Sequence, residues 1–205
     1  MRLFAALALP AHATDLLSAA VARGREVDPT LRWVPAEQWH LTLAFFGEVP
    51  ETRIDDLTVR LRRAARRTAP LALRLGRPAT FGSLRRARVL YAGLSEGAEA
   101  TSRLAASCRA AGRRVGLTSD DLAPDARFRP HVTLARAAPP RDVTDVVAAL
   151  TMNDPPGWHC EQALLVRSAL GAGEGGRPRH EVLARLDFSQ PPVSLPPAGQ
   201  PPAGR

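Results

Sequence analysis

The stretch QWHLTLAFFGEV, residues 38–49, sets a histidine two residues ahead of a threonine inside an otherwise apolar run. Strand side chains alternate, so residues two apart share a face. His40 and Thr42 therefore point one way, and Leu41 and Leu43 point the other way, into a core. RPHVTLARA, residues 129–137, repeats the arrangement, with His131 and Thr133 on one face and Val132 and Leu134 on the opposite one. Two rigid strands thus each offer one imidazole and one hydroxyl. Two related lobes would set these strands facing each other across a cleft.

Working outward, residues 2–9 read as a strand and Pro10 opens a helix to about Arg23, with Leu16, Leu17, Ala20 and Val21 inward. Residues 31–35 form a short extended piece, and Gly47 ends the first motif strand, 39–46. Thr52 is placed to cap a helix to about Arg67, whose apolar positions Ile54, Leu57, Leu61, Ala64 and Ala65 have helical spacing. Arginines 60, 62, 63, 66 and 67 load its other sides as a solvated face. Leu71–Leu75 and Val89–Leu94 read as strands around the loop FGSLRRAR, which carries Arg85, Arg86 and Arg88. A helix from about Ala98 to Val115 precedes the second motif strand, 128–136, and Pro140 opens a further helix. Strands at about 158–168 and 181–188 follow. Each motif strand is followed by a helix, a hint of internal duplication, though only about eight residues around each motif are alike. The order is that of a mixed α/β chain. Residues 1–189 make a single bilobal domain, and the proline- and glycine-rich 190–205 make a disordered tail.

Composition narrows the class. A chain of 205 residues buries a core without disulfide or metal staples. No apolar run approaches the ~20 residues of a membrane span. The opening MRLFAALALPAHA has the outline of a signal peptide, but its apolar part is short and broken by Pro10, so a buried first strand is preferred. Cys108 and Cys160 have no CxxC spacing and read as buried, reduced thiols of a cytoplasmic protein. The formal charge of +8 favours anionic partners, yet all 28 basic residues are arginine. A biased genome would produce the same excess, so the charge permits RNA binding without showing it.

Paired imidazoles and hydroxyls suit a phosphodiester. Cleavage needs a base to deprotonate the attacking oxygen and an acid to protonate the leaving one. Histidine, with an unperturbed pKa of about 6.5, can do either near neutrality. Threonine hydroxyls and an arginine can hold the phosphoryl oxygens without a metal. Arg136 lies three residues beyond Thr133. Strict alternation turns it away, so it reaches the cleft only if the strand ends or bends there.

These blocks, together with MRLFAALALP, WVPAEQWHLTLAFFGEV, RVLYAGL and FRPHVTLAR, resemble the two-histidine (2H) phosphoesterase superfamily from Met1 to about Phe188. Within it they are similar to the RNA 2′,3′-cyclic phosphodiesterases, historically called 2′-5′ RNA ligases. The resemblance implies an α+β bilobal fold of two antiparallel sheets flanked by helices, with a central cleft and no cofactor or metal. It implies His40 and His131 as the acid–base pair, with His40 protonating the leaving group and His131 activating water. It implies Thr42, Thr133 and Arg136 as phosphate ligands. Phe4 and Phe45 or Phe46 are candidates to stack the terminal base, which is worth ~1–3 kcal/mol per base. Where the family often has a tyrosine near the last strand, this chain has His180, which is either a third cleft histidine or, the preferred reading, a surface residue after a glycine-rich loop. His12 and His159 read as structural or exposed, with no ligand spacing.

The implied activity is metal-independent hydrolysis of an RNA terminal 2′,3′-cyclic phosphate to a 2′-phosphate, by a cytoplasmic monomer. The same site run backwards would join RNA ends, and mass action of water ranks that second. Three alternatives stand beside it. One is a 2H enzyme acting on a small cyclic nucleotide or nucleotide-sugar phosphate, against which the 85–88 arginine loop favours a longer RNA. The others are a noncatalytic RNA-binding relative and a metallohydrolase.

Overall fold

Arg2–Ala8 (β1) shows how the apolar and polar patterns sort the two faces of the sheet. Leu3, Ala5 and Leu7 enter the main core, while Phe4 and Ala6 form a smaller cluster with Val166 on the opposite face. The computed structural model describes residues 1–118, 122, 128–169, 171 and 178–189. Along them run α1 (Ala11–Val27), β2 (Arg32–Trp33), β3 (His40–Glu48), α2 (Ile54–Ala65), β4 (Leu71–Phe81), β5 (Ala87–Glu96) and α3 (Ala98–Arg114). They are followed by β6 (His131–Arg141), α4 (Thr144–Ala149), β7 (Gly157–Cys160), β8 (Gln162–Ala169) and β9 (Arg179–Asp187).

The strands lie in the order β7-β4-β5-β6-β3-β1-β8-β9, with β2 added beside β6, and every pairing is antiparallel. The two expected sheets are the two halves of this order. From the middle outward one half reads β3-β1-β8-β9 and the other β6-β5-β4-β7. Each motif strand follows a strand and a helix, β1-α1 before β3 and β5-α3 before β6, so the halves have matching connectivity. They meet where Leu41 lies opposite Val132. Both side chains are fully buried, and each such aliphatic side chain is worth roughly 1.5–3 kcal/mol of burial.

The helices cover the core face. Leu17 and Val21 of α1, Leu57 and Leu61 of α2, and Leu104 and Cys108 of α3 join Leu41, Leu43 and Leu134 in one cluster. Gly97 starts α3 with φ 80°, where a Cβ would run into the backbone oxygen of Ala72, so only glycine fits. Cys108 and Cys160 are free and buried, and burial pushes the Cys108 thiol up to about 12. No described helix is long and apolar enough to cross a membrane.

Several local expectations change: Leu16 of α1 is exposed rather than inward, and the strand expected over 158–168 is two, β7 and β8, divided at Glu161. Thr52 lies in a short 3-10 turn, and α2 begins after Arg53 with no side-chain cap. Pro140 continues β6 rather than opening a helix, because past Arg136 that strand is paired on one side only, by β5, and a missing N–H on the free side costs nothing. The helix starts instead at Thr144, whose N–H and hydroxyl both donate to Asp142 Oδ1, at 2.9 and 2.7 Å. The first outer strand pair is also longer than expected, with β4 running on to Phe81. The expected tail, 190–205, lies outside the described residues.

Candidate active site

His40 opens β3 and His131 opens β6. With Leu41 opposite Val132 in an antiparallel pair, the register sets His40 beside Thr133 and Thr42 beside His131. Each motif therefore offers its imidazole next to the other motif's hydroxyl. The two copies also share their local hydrogen bonding. His40 Nδ1 is 2.7 Å from the carbonyl of Gln38, and His131 Nδ1 is 2.7 Å from the carbonyl of Arg129. A carbonyl only accepts, so in both rings Nδ1 carries the hydrogen and Nε2 is left with its lone pair.

The sequence around each carbonyl explains its position. Ala36–Gln38 form a 3-10 turn, and Trp39 Nε1 donates to the Val34 carbonyl at 3.1 Å, fixing the entry to β3. The Gln38 side chain donates to the carbonyl of Pro178 at 2.9 Å, which ties the start of β9 to the same turn. On the other copy, Pro130 restricts Arg129 to extended backbone ahead of His131.

Both histidines are held neutral. Burial lowers His40 to about 4; the Gln38 carbonyl opposes this, while charge on His180 and His131 adds to it. Burial lowers His131 as well, opposed by the Arg129 carbonyl and reinforced by the Arg136 guanidinium. Aromatic rings line both. Phe4 stacks on His40 with centroids 4.8 Å apart, and Phe81 and Tyr91 meet His131 edge-on at 4.9 and 5.3 Å.

Arg136 reaches the cleft face through a bulge. In β6, Tyr91 pairs with Thr133 but Leu90 pairs with Ala135, so Leu134 is an extra residue. The side-chain alternation shifts by one there, with Leu134 and Ala135 both buried. Arg136 consequently shares a face with His131 and Thr133. The same irregularity occurs in β3, where Ala6 pairs with Thr42 and Ala5 with Ala44, leaving Leu43 extra. Phe45 is the residue this brings round, at the position that Arg136 holds in the other copy. The Arg2 guanidinium lies over the Phe45 ring, 4.7 Å from its centroid.

The remaining aromatic candidates divide. Phe4 is on the cleft face but only 4 % exposed, its ring taken up by His40 and His180. Phe46 does not belong to the cleft. It is 2 % exposed in the main core against Gly112 of α3, because the shift at Leu43 reverses the alternation and leaves Phe46 on the core face once Phe45 is on the cleft face.

His180 is the larger correction, since it is in the cleft and not on the surface. It pairs with Ser168, two residues along from the Val182–Val166 pair, and Val166 pairs with Phe4. That register carries His180 onto the face of Phe4, with ring centroids 5.1 Å from Phe4 and 5.4 Å from His40. Burial lowers its pKa too. Tyr91, Phe81, Arg2 and Gln38 were likewise not singled out from sequence. Their membership depends on which strands pair. His12 is exposed and meets the Gly157 carbonyl at 3.1 Å, and His159 is exposed on β7. Among the described residues no three His, Cys, Asp or Glu side chains converge as metal ligands.

Known proteins share both the sequence pattern and the fold. The family model described as the 2′-5′ RNA ligase superfamily matches residues 11–172. A Thermus thermophilus protein named RNA 2′,3′-cyclic phosphodiesterase is 37% identical over 175 residues, 83% of either chain. The crystal structure of a Thermus thermophilus protein superposes with a TM-score of 0.71 at 31% identity, covering 91% of this chain and 97% of that one. E. coli LigT complexed with 3′-AMP gives a TM-score of 0.71 at 26% identity, covering 92% and 98%.

Proposed function

Since the chain belongs to the 2′-5′ RNA ligase superfamily, we propose that it hydrolyses the 2′,3′-cyclic phosphate at the end of an RNA to a 2′-phosphate. The observation that carries this reading is the crossed pair of motifs, with two imidazoles of the same tautomer beside two threonines and Arg136. The name borne by the Thermus relative supports the substrate.

The cyclic phosphate lies between the two Nε2 atoms. His131 takes a proton from water, whose oxygen attacks phosphorus in line with the 3′ oxygen. The P–O3′ bond breaks, and His40 gives its proton to the departing 3′ oxygen. The Thr42 and Thr133 hydroxyls and the Arg136 guanidinium hold the phosphoryl oxygens as charge builds on them. Water leaves one proton on His131 and the 3′ hydroxyl takes one from His40, so a proton exchange restores the starting state.

In the free enzyme both imidazoles are neutral, and His40 sits at about 4. The acid therefore acquires its proton together with the anionic substrate, whose charge offsets the cost of burying a cation. Phe4, stacked on His40, keeps water from one face of that ring. The test is the product: an RNA ending in a 2′,3′-cyclic phosphate yields a 2′-phosphate, and a 3′-phosphate would refute the in-line displacement of O3′.

A further inference from the structure

Arg32 of β2 lies directly opposite Arg136 of β6. Residues opposite each other in an antiparallel pair project to the same face, and like charges there are destabilising. Both arginines are exposed, and among the described residues neither pairs with a carboxylate. The two line an open groove of about 790 Å³ that also takes in Gln38, Pro178 and Arg25. The groove thus joins Arg136, the guanidinium on the catalytic face, to β2. Phosphates bound one at each guanidinium would offset the Arg32–Arg136 repulsion.

The chemistry of the substrate supplies that anion. A terminal cyclic phosphate occupies the 2′ and 3′ oxygens of the last ribose. The chain continues from its 5′ oxygen, so the next phosphate is one ribose away. The arginines of the 81–88 loop are less suited to it. Val89, not Arg88, is the β5 residue that pairs with Arg136.

We propose that Arg32, on β2, binds the backbone phosphate immediately upstream of the terminal nucleotide, making this groove the subsite that distinguishes an RNA strand from a mononucleotide. The inference rests on the RNA reading of the site and adds which residue reads the strand. Arg32 is a binding residue here and takes no part in the proton transfers.

The experiment measures kcat/KM for adenosine 2′,3′-cyclic phosphate and for a triadenylate ending in the same cyclic phosphate. The enzymes are wild type, Arg32→Gln and Arg32→Lys. A second triadenylate carries an uncharged methylphosphonate at the upstream linkage. The expected result is a preference for the charged triadenylate that drops about tenfold in Arg32→Gln and is partly kept in Arg32→Lys. The methylphosphonate should produce the same drop in wild type and no further drop in Arg32→Gln. The salt dependence for the triadenylate should lessen by about one charge in Arg32→Gln. Equal turnover of the mononucleotide and both triadenylates by wild type, or a preference surviving in Arg32→Gln, overturns the subsite and leaves the phosphodiesterase reading standing. Turnover of none of them by wild type overturns both. The methylphosphonate arm needs no variant, so a folding defect in Arg32→Gln does not rescue the proposal.

Discussion

Leu43 and Leu134 are the same irregularity in two strands: each is the extra residue of a bulge, three positions after a motif histidine. In β3 the shift brings Phe45 onto the cleft face, and in β6 it brings Arg136. The two halves thus share a backbone device but place an aromatic ring on one side and a guanidinium on the other. This asymmetry gives the cleft one end with a guanidinium and one with an aromatic ring.

Arg136 is exposed, so replacing it should leave the fold intact and act on catalysis. Arg136→Gln is expected to lower kcat/KM by roughly 10²-fold, as loss of one transition-state charge contact does. Arg136→Lys should recover only part of this, because an ammonium lacks the guanidinium fork. Steady-state kinetics beside a thermal melt checks both, and a large loss of melting temperature with kcat/KM intact would contradict the placement.

His40 links stability to pH. Its folded value of about 4 lies below the ordinary 6.5, so between those values the unfolded chain binds a proton that the folded chain refuses. Stability therefore rises with pH across the window and is lost as pH falls from about 6.5 towards 4. The full effect is on the order of 3 kcal/mol. Urea unfolding at pH 7 and pH 4.5 should show His40→Gln losing less stability on acidification than wild type. Equal losses would mean that His40 is not buried in this way.

His180 reports on His40. Its charge is one of the causes that lower His40, behind burial itself. His180→Gln should move the His40 pKa upward, readable as a shift of the His40 ring resonance in an NMR titration. Mutual influence of this kind belongs to the pair, so the wild-type curve should be broader than that of the variant. A His40 titration unmoved by His180→Gln would separate the two rings.

Much of this site is legible in the sequence because a two-residue period puts His40 with Thr42, and His131 with Thr133, on one face. Alternation also separates Phe4 from Leu3 and Leu7. The reading fails where a strand departs from the period or where long-range register decides. Arg136 is turned away by strict alternation and reaches the cleft through the bulge at Leu134. Phe46 and Phe45 are neighbours in an apolar run, and a bulge alone sends one to the core and the other to the cleft. His180 looks like a surface residue beside glycines, and its place follows from the Val182–Val166–Phe4 register across three strands. Pro140 resembles a helix start, yet it sits in β6 where one side of the strand is unpaired.

His40 and His131 together are expected to turn over a terminal cyclic phosphate without a metal. The most direct measurement is turnover of a short RNA ending in a 2′,3′-cyclic phosphate, in EDTA, by wild type, His40→Ala and His131→Ala. Wild type should convert the RNA fully to the 2′-phosphate, and each variant should lose several orders of magnitude of that activity. Activity abolished by EDTA, or surviving in either variant, would contradict it.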